Sequence, residues 1–266
     1  MGKKIDYKEI NKRAWNNKTY IHFRSDFYDN ASFIKGRNSL NSIEIDLLGD
    51  IKGKIVLHLQ CHFGQDTISL NRMGAQSTGA DISDKAIKRA KELADVTKSD
   101  ADFICCDIYD LPQLLKKEFD IVFTSYGAIG WLPDLNKWGN IISGFLKPGG
   151  KFILVEFHPV VWMFDDNFKE IKYRYFNSGP IIESVEGTYA DKDAEIVQDY
   201  VYWNHSISEV LNSLINNNLE INSFNEFDYS PYDCFNNTIE FAPGKFRIKN
   251  LDNKIPMVYS VAATRK

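Results

Sequence analysis

Val56-Leu-His-Leu-Gln-Cys-His-Phe-Gly64 is the stretch whose reading decides the fold. Lys54 to Leu59 is a short, largely apolar run that reads as a strand, and Asp66 to Met73 reads as a helix ended by Gly74. Strand, tight loop and helix is the order in which an α/β nucleotide-binding sheet presents its first loop. The helix N-terminus offers unpaired N–H groups and a positive dipole end to a ligand carrying carboxylate or phosphate. Of the glycines expected in such a loop, this chain keeps only Gly64. A nicotinamide-dependent oxidoreductase, the alternative enzyme class, needs backbone approach to a pyrophosphate, which Gln60 and His62 would obstruct.

Outward from this loop, strand and helix patterns alternate. Gln76 to Ala80, Asp102 to Cys105, Phe119 to Thr124 and Lys151 to Phe157 read as further strands. The runs at 54, 119 and 151 are nearly continuous apolar segments, as parallel strands buried on both faces require. Ser83 is placed to cap a helix with Ala86, Ile87, Ala90, Leu93 and Ala94 on one side. Asp134 to Leu146 sets Leu135, Trp138, Ile141, Ile142 and Phe145 at helical spacing, and Pro148-Gly-Gly then breaks the chain. Repeated βαβ units with right-handed crossovers predict an α/β, doubly wound, mostly parallel sheet.

The flanks differ. Residues 1–50 read as a helical lid, with Tyr7 to Trp15 amphipathic and Leu40, Ile43, Leu47 and Leu48 on one face before Gly49. Residues 51–266 read as the core. Within it, residues 159–205, rich in aromatic and acidic side chains, form an irregular or antiparallel insertion on the substrate side. Ser206-Ile-Ser-Glu209 is a capping box. Leu219 to Phe227 and Met257 to Thr264 read as antiparallel strands joined by a long irregular connection over 228–256.

The 266-residue chain is 44% hydrophobic with 18 Phe, 13 Tyr and 5 Trp, enough to cover a large sheet on both faces. Its 32 Lys and Arg against 36 Asp and Glu give a net charge of −4, without the basic stripe that a nucleic-acid backbone requires. No run approaches the roughly 18 apolar residues of a membrane span, and Met-Gly-Lys-Lys at the start opens no apolar signal core. A soluble, cytoplasmic protein is expected, of unspecified oligomeric state. Cys61, Cys105, Cys106 and Cys234 lack paired CxxC spacing, so neither a metal site nor a disulfide framework is indicated. The last three are expected to be small buried hydrophobes.

In an open α/β sheet the ligand lies beyond the carboxyl ends of the strands. Those ends carry His58 to Gly64, Gly79-Ala-Asp81-Ile82-Ser83, Cys106-Asp107-Ile108 and Thr124-Ser125-Tyr126-Gly127. Asp81, about twenty residues beyond the loop, is placed either to accept both hydroxyls of a ribose or to cap a turn. Asp107 is similarly placed either to accept from an adenine amino group or to cap the next turn. Together these ends resemble the class I S-adenosylmethionine-dependent methyltransferases, in their small-molecule branch, over roughly residues 50–158 and again in the last strands. Gly79-Ala-Asp-Ile-Ser, Cys106-Asp-Ile-Tyr-Asp-Leu-Pro, Phe119-Asp-Ile-Val and Leu146-Lys-Pro-Gly-Gly-Lys-Phe are similar to successive motifs of that family.

The resemblance implies a seven-stranded sheet with an antiparallel last strand, S-adenosylmethionine as cofactor and a small-molecule methyl acceptor. It implies that Asp81 holds the ribose, that Ile82 and Ile108 flank the adenine and that Asp107 meets its edge. Ser125 and Tyr126 would lie near the transferring methyl. His58, Gln60, Cys61, His62 and Gly64, with Asp66 just beyond, would approach the methionyl portion. The family has an acid where this chain has His58 and glycines where it has Gln60 and His62. A subgroup carries a similar Leu-His-Leu-Gln-Cys-His-Phe-Gly run. A catalytically altered, cofactor-binding module is therefore the alternative to an active enzyme. Positioning supplies most of the catalysis of methyl transfer, and a general base is optional. Glu156 and His158, at the end of the fifth predicted strand, and His205, before the capped helix, are the candidate bases.

Overall fold

The computed structural model describes residues 6–266. Met1-Gly-Lys-Lys and the first five residues of the expected lid lie outside the described residues. Helices α1 (Tyr7–Arg24), α2 (Asn30–Ile34) and α3 (Ser42–Leu48) precede β1 (Ile55–Leu59). The alternating core follows as α4 (Gln65–Arg72), β2 (Gln76–Asp81), α5 (Asp84–Thr97), β3 (Asp102–Cys105), α6 (Leu111–Leu114), β4 (Phe119–Ser125), α7 (Leu135–Phe145) and β5 (Leu146–Phe157). Beyond it come β6 (Ile181–Glu186), β7 (Val197–Tyr202), α8 (Ile207–Ile215), β8 (Leu219–Phe227), β9 (Thr238–Ala242), β10 (Lys245–Ile248) and β11 (Val258–Arg265).

Seven strands form one sheet in the order β3-β2-β1-β4-β5-β11-β8. β1 pairs in parallel with both β2 and β4, and β11 runs antiparallel to both β5 and β8. The expected mostly parallel sheet with an antiparallel last strand is therefore present. Period-2 alternation sends Leu57 and Leu59 to one face, where they join Trp138 and Ile142 of α7, and Val56 to the other, where it meets Leu70 of α4. His58 shares the α4 face and packs beside Thr67. The helix starts are built as their sequences suggest. The side chains of Ser83, Asp134 and Ser206 accept from the N–H of Ala86, Lys137 and Glu209.

Four expectations need correction. α1 continues past Trp15 to Arg24, since nothing between them breaks a helix. Pro148-Gly-Gly does not end an element: β5 starts at Leu146, and a register irregularity opposite Phe119–Ile121 absorbs the proline, which has no N–H to donate. The 228–256 connection contains the antiparallel pair β9–β10, turned at Pro243-Gly244 with Gly244 at φ +66°. Cys105 is exposed, and Cys106 and Cys234 are half-buried rather than buried. Cys105 ends β3, the sheet's edge strand, which has a neighbour on one side only, Asp81 of β2.

Two of the added elements shape the site. β6 and β7 pair as an antiparallel ribbon, and α1 lies on β7. Asn11 of α1 donates to the Val201 carbonyl at 2.7 Å and accepts from the Val201 N–H at 3.0 Å, so one side chain completes the backbone bonding of a strand. At its other flank Asn16 accepts from the Ser83 hydroxyl at 2.7 Å and donates to Asp84 at 2.9 Å, at the start of α5. The helix is thereby held between the inserted ribbon and the core.

Candidate active site

The register aligns Leu59 of β1 with Ala80 of β2 and with Thr124 of β4. The next residues, Gln60, Asp81 and Ser125, therefore stand side by side at the carboxyl edge of the sheet, where its strand order reverses. They open into a cavity of about 660 Å³, within the range of small-molecule sites. His58, Gln60, Cys61, His62, Gly64, Asp66, Asp81, Ile82, Asp107, Ile108, Ser125 and Tyr126 all line it, as do Glu156 and His205.

Gln60 and His62 sit at φ +57° and +50°, the left-handed region that glycine occupies at little cost. The loop keeps a glycine-like backbone while projecting two side chains, at about 1–2 kcal/mol of strain each. Gln60 Nε2 donates to the Ala128 carbonyl at 2.7 Å, tying the β1 loop to the β4 loop, and its Oε1 is buried without a partner. The His62 N–H donates to Asp81 Oδ2 at 2.8 Å, and its ring Nε2 lies 3.0 Å from His22 Nδ1. Gly64 serves packing: a Cβ there would stand 2.5 Å from the Phe103 ring and 2.9 Å from Ala90. Its missing side chain makes room for the neighbouring helix and strand, and its φ of +83° favours glycine.

Asp81 accepts the N–H of His62 on one oxygen and of Ser83 on the other, each at 2.8 Å. Each oxygen keeps a further lone pair for a ligand hydroxyl. Burial pushes its carboxyl up to about 6 against those stabilising bonds. Asp107 accepts from the Tyr109 N–H at 2.7 Å and pairs with Lys8 of α1 at 3.0 Å. His58 is buried with Nδ1 2.9 Å from Thr67 Oγ1, and burial lowers its imidazole to about 4, so it is neutral at physiological pH. The negative charge near this end of the cavity comes instead from Asp66, in the first turn of α4. It accepts from the hydroxyls of Ser39 at 2.7 Å and Ser125 at 3.2 Å. Tyr126 stands on Tyr232 and Phe157, its hydroxyl buried.

The three candidate bases are already engaged. Glu156 accepts from the N–H groups of Gly127, Ala128, Ile129 and Phe157, which fixes the loop after β4. His158 does not line the cavity; its Nε2 lies 3.0 Å from Glu226 and its Nδ1 accepts from the Val160 N–H. His205 has Nε2 2.8 Å from the Leu132 carbonyl and Nδ1 2.9 Å from Glu209. The sequence reading missed the polar stripe of α1. Its buried residues include Asn11, Lys18 and His22, spaced seven and four apart on one helical face. That spacing, set among aromatics, was the signal available.

The sequence profile of a methyltransferase domain family matches residues 57–154. An uncharacterized methyltransferase of Synechocystis is 36% identical over 135 residues, covering 49% of this chain and 60% of that protein. A ubiquinone biosynthesis O-methyltransferase of Chromobacterium violaceum is 29% identical over 127 residues, 47% of this chain and 54% of its own. The chain thus spans between half and two thirds of the length of these curated relatives. Among solved structures, an S-adenosylmethionine-dependent methyltransferase of Mesorhizobium loti superposes with TM-score 0.60 at 22% identity, covering 87% of this chain and 100% of that one. A geranyl diphosphate C-methyltransferase of Streptomyces coelicolor gives TM-score 0.61 at 16% identity over 98% and 99% of the two chains. Residues 57–154 thus match a methyltransferase domain family, and the seven-stranded sheet has the fold of the S-adenosylmethionine-dependent methyltransferases.

Proposed function

We propose that this chain transfers a methyl group from S-adenosylmethionine to a small-molecule acceptor. The observation that carries the reading is the convergence, on one cavity at the strand-order reversal, of the ends of β1 to β4, which bring Asp81, Asp107 and Ser125 together with Asp66 of the first turn of α4. The residues present fit the donor. Asp81 retains lone pairs for ribose hydroxyls, and Ile82 and Ile108 are the apolar faces for the adenine. Asp66 supplies the charge for the methionyl ammonium that neutral His58 cannot. The orphaned Oε1 of Gln60 and Nδ1 of His62 are polar atoms in need of partners in the first loop. When bound, S-adenosylmethionine supplies a methyl group on a sulfonium centre, open to in-line attack.

The protein's part is positioning. Glu156 clamps the loop that carries Gly127 to Ile129, and Gln60 ties that loop to the one after β1, so donor and acceptor surfaces keep a fixed relation. We assign residues 6–50 and 159–205 to the roof of the cavity, a reading supported by the Asn11–Val201 bonds between α1 and β7. No described helix is long and apolar enough to cross a membrane, and the free cysteines suit a reducing cytoplasm.

Calorimetry with S-adenosylhomocysteine tests the donor site. Micromolar binding is expected for the wild type, with loss of about 10²-fold or more in Asp81→Ala, whose two ribose bonds and two backbone bonds are removed. Incubation of small-molecule extracts with methyl-labelled donor should then yield a labelled product. Binding that is indifferent to Asp81→Ala overturns the reading of the donor site.

A further inference from the structure

The cavity contains a cation to which the donor reading assigns no role. Lys18 of α1 is 6% exposed, lines the cavity, and forms no ion pair with a carboxylate among the described residues. Its Nζ lies 4.3 Å from the Tyr200 ring centroid, 4.9 Å from Trp15, 5.6 Å from Tyr189 and 6.0 Å from Trp131. The ring of His62, in T-shaped contact with Trp15, lies on the same side. Aromatic faces attract an ammonium, but they do not replace the water it has lost. Burying a charge without a counter-ion is costly, so an otherwise close-packed protein has reason to keep one where a ligand completes the pair.

The surroundings say what kind of ligand. The walls are indole and phenol rings, which accept a flat apolar body. The hydroxyl of Tyr200 is buried without a partner, a further polar group available to the same ligand. The nearest acids of the lining have partners of their own: Asp81 accepts from the His62 N–H and Glu183 from the Tyr202 hydroxyl. A sulfonium donor would add further positive charge to the cavity, and an anionic acceptor offsets it.

Resting on the methyltransferase reading, we propose that Lys18 is the acceptor-binding residue, its ammonium the counter-ion for an anionic oxygen on a planar, largely apolar acceptor of the aromatic carboxylate class. Trp15, Trp131, Tyr189 and Tyr200 hold the ring, and Lys18 fixes which end of it faces inward. Lys18 is here a binding and positioning residue.

Benzoate and its neutral isostere benzamide are the probes, titrated against the intrinsic fluorescence of the tryptophans and by calorimetry. Wild type is expected to bind benzoate about tenfold or more tightly than benzamide, and Lys18→Met to lose that preference while binding S-adenosylhomocysteine as before. Lys18→Arg, which keeps the charge, should retain part of it. Equal binding of the two probes by wild type, no benzoate binding at millimolar concentration, or a preference unchanged in Lys18→Met overturns the proposal. So does loss of S-adenosylhomocysteine by Lys18→Met, which would place the residue in the donor site. Failure of wild type to bind S-adenosylhomocysteine is a separate result, against the methyltransferase reading, and leaves the benzoate comparison readable.

Discussion

Four backbone N–H groups converge on the Glu156 carboxylate, more partners than a group awaiting a substrate proton would spend on structure. Burial raises its carboxyl above the ordinary range, while these bonds, from Gly127, Ala128, Ile129 and Phe157, pull it back. Glu156→Gln exchanges one acceptor oxygen for an NH₂ that faces donors, leaving buried N–H groups without partners. A stability loss of about 1–3 kcal/mol is expected in urea unfolding, with weaker S-adenosylhomocysteine binding as the loop loosens. If the residue were a general base, the variant would instead keep its stability and flatten the acid limb of the pH–rate profile. Sequence gives the place of a residue where position along a strand determines it, as for Asp81 and Asp107 at the strand ends. It does not give a contact with a partner distant in sequence: nothing near Glu156 announces that its oxygens reach back some thirty residues to the β4 loop. Asp66 is intermediate, its place in the first turn of a helix being legible and its hydroxyl partners, Ser39 and Ser125, not.

Between elements, the joint of most consequence is α1 on β7. Asn11 makes both of its bonds to Val201, and both atoms of that peptide position are buried. Asn11→Ala leaves the donor and the acceptor unmet, and the α1–β7 contact is expected to weaken by about 1–3 kcal/mol. Because the parallel sheet has its own core, built on Trp138 and the β1, β4 and β5 apolar runs, the loss should be local. Amide exchange should quicken over residues 7–24 and 197–202 and stay slow in β1, β4 and β5. Uniform acceleration across the sheet would show that α1 is part of the core rather than a roof. The sheet itself was legible because continuous apolar runs and helix caps are local signals. The β9–β10 pair and the far half of α1 were not. The far half of α1 is held by β7, some 180 residues away, and β9–β10 is a short pair that contacts chiefly itself.

For the whole molecule, buried titratable groups divide the pH scale. His58 and His62, lowered by burial to about 4 and about 3, stay neutral in the folded chain while the unfolded chain protonates them below about 6.5. The unfolded state then binds more protons, and these two destabilise the fold as pH falls. Glu44 and Asp81, raised by burial to about 7 and about 6, act in the opposite sense across the same window. Stability below neutrality is therefore a partial cancellation. Above pH 7 the balance is simpler. Lys18, lowered by burial to about 7, sheds its proton in the folded chain, whereas the unfolded chain keeps it until about 10.4. The groups around it, His22 on its own helix, His62 in the first loop, and Tyr189 and Tyr200 from the insertion, carry no negative charge there. The unfolded state holds the extra proton, so stability rises with pH, by at most about 1.4 kcal/mol per unit. Near pH 9 the rise ends. Cys61, Cys106 and Cys234, raised by burial, begin to ionise only in the unfolded chain and act in the reverse direction. Thermal melts should accordingly move up between pH 7 and 9, at roughly 2–4 °C for each kcal/mol. Lys18→Met, which fills the same volume without charge, should melt higher than wild type at pH 7 and show no rise toward pH 9. A wild-type profile that falls across this window, or a variant that melts lower at pH 7, would mean the ammonium already has its counter-ion within the folded chain. Benzoate should raise the wild-type midpoint most at pH 7, where the pairing it completes is otherwise missing.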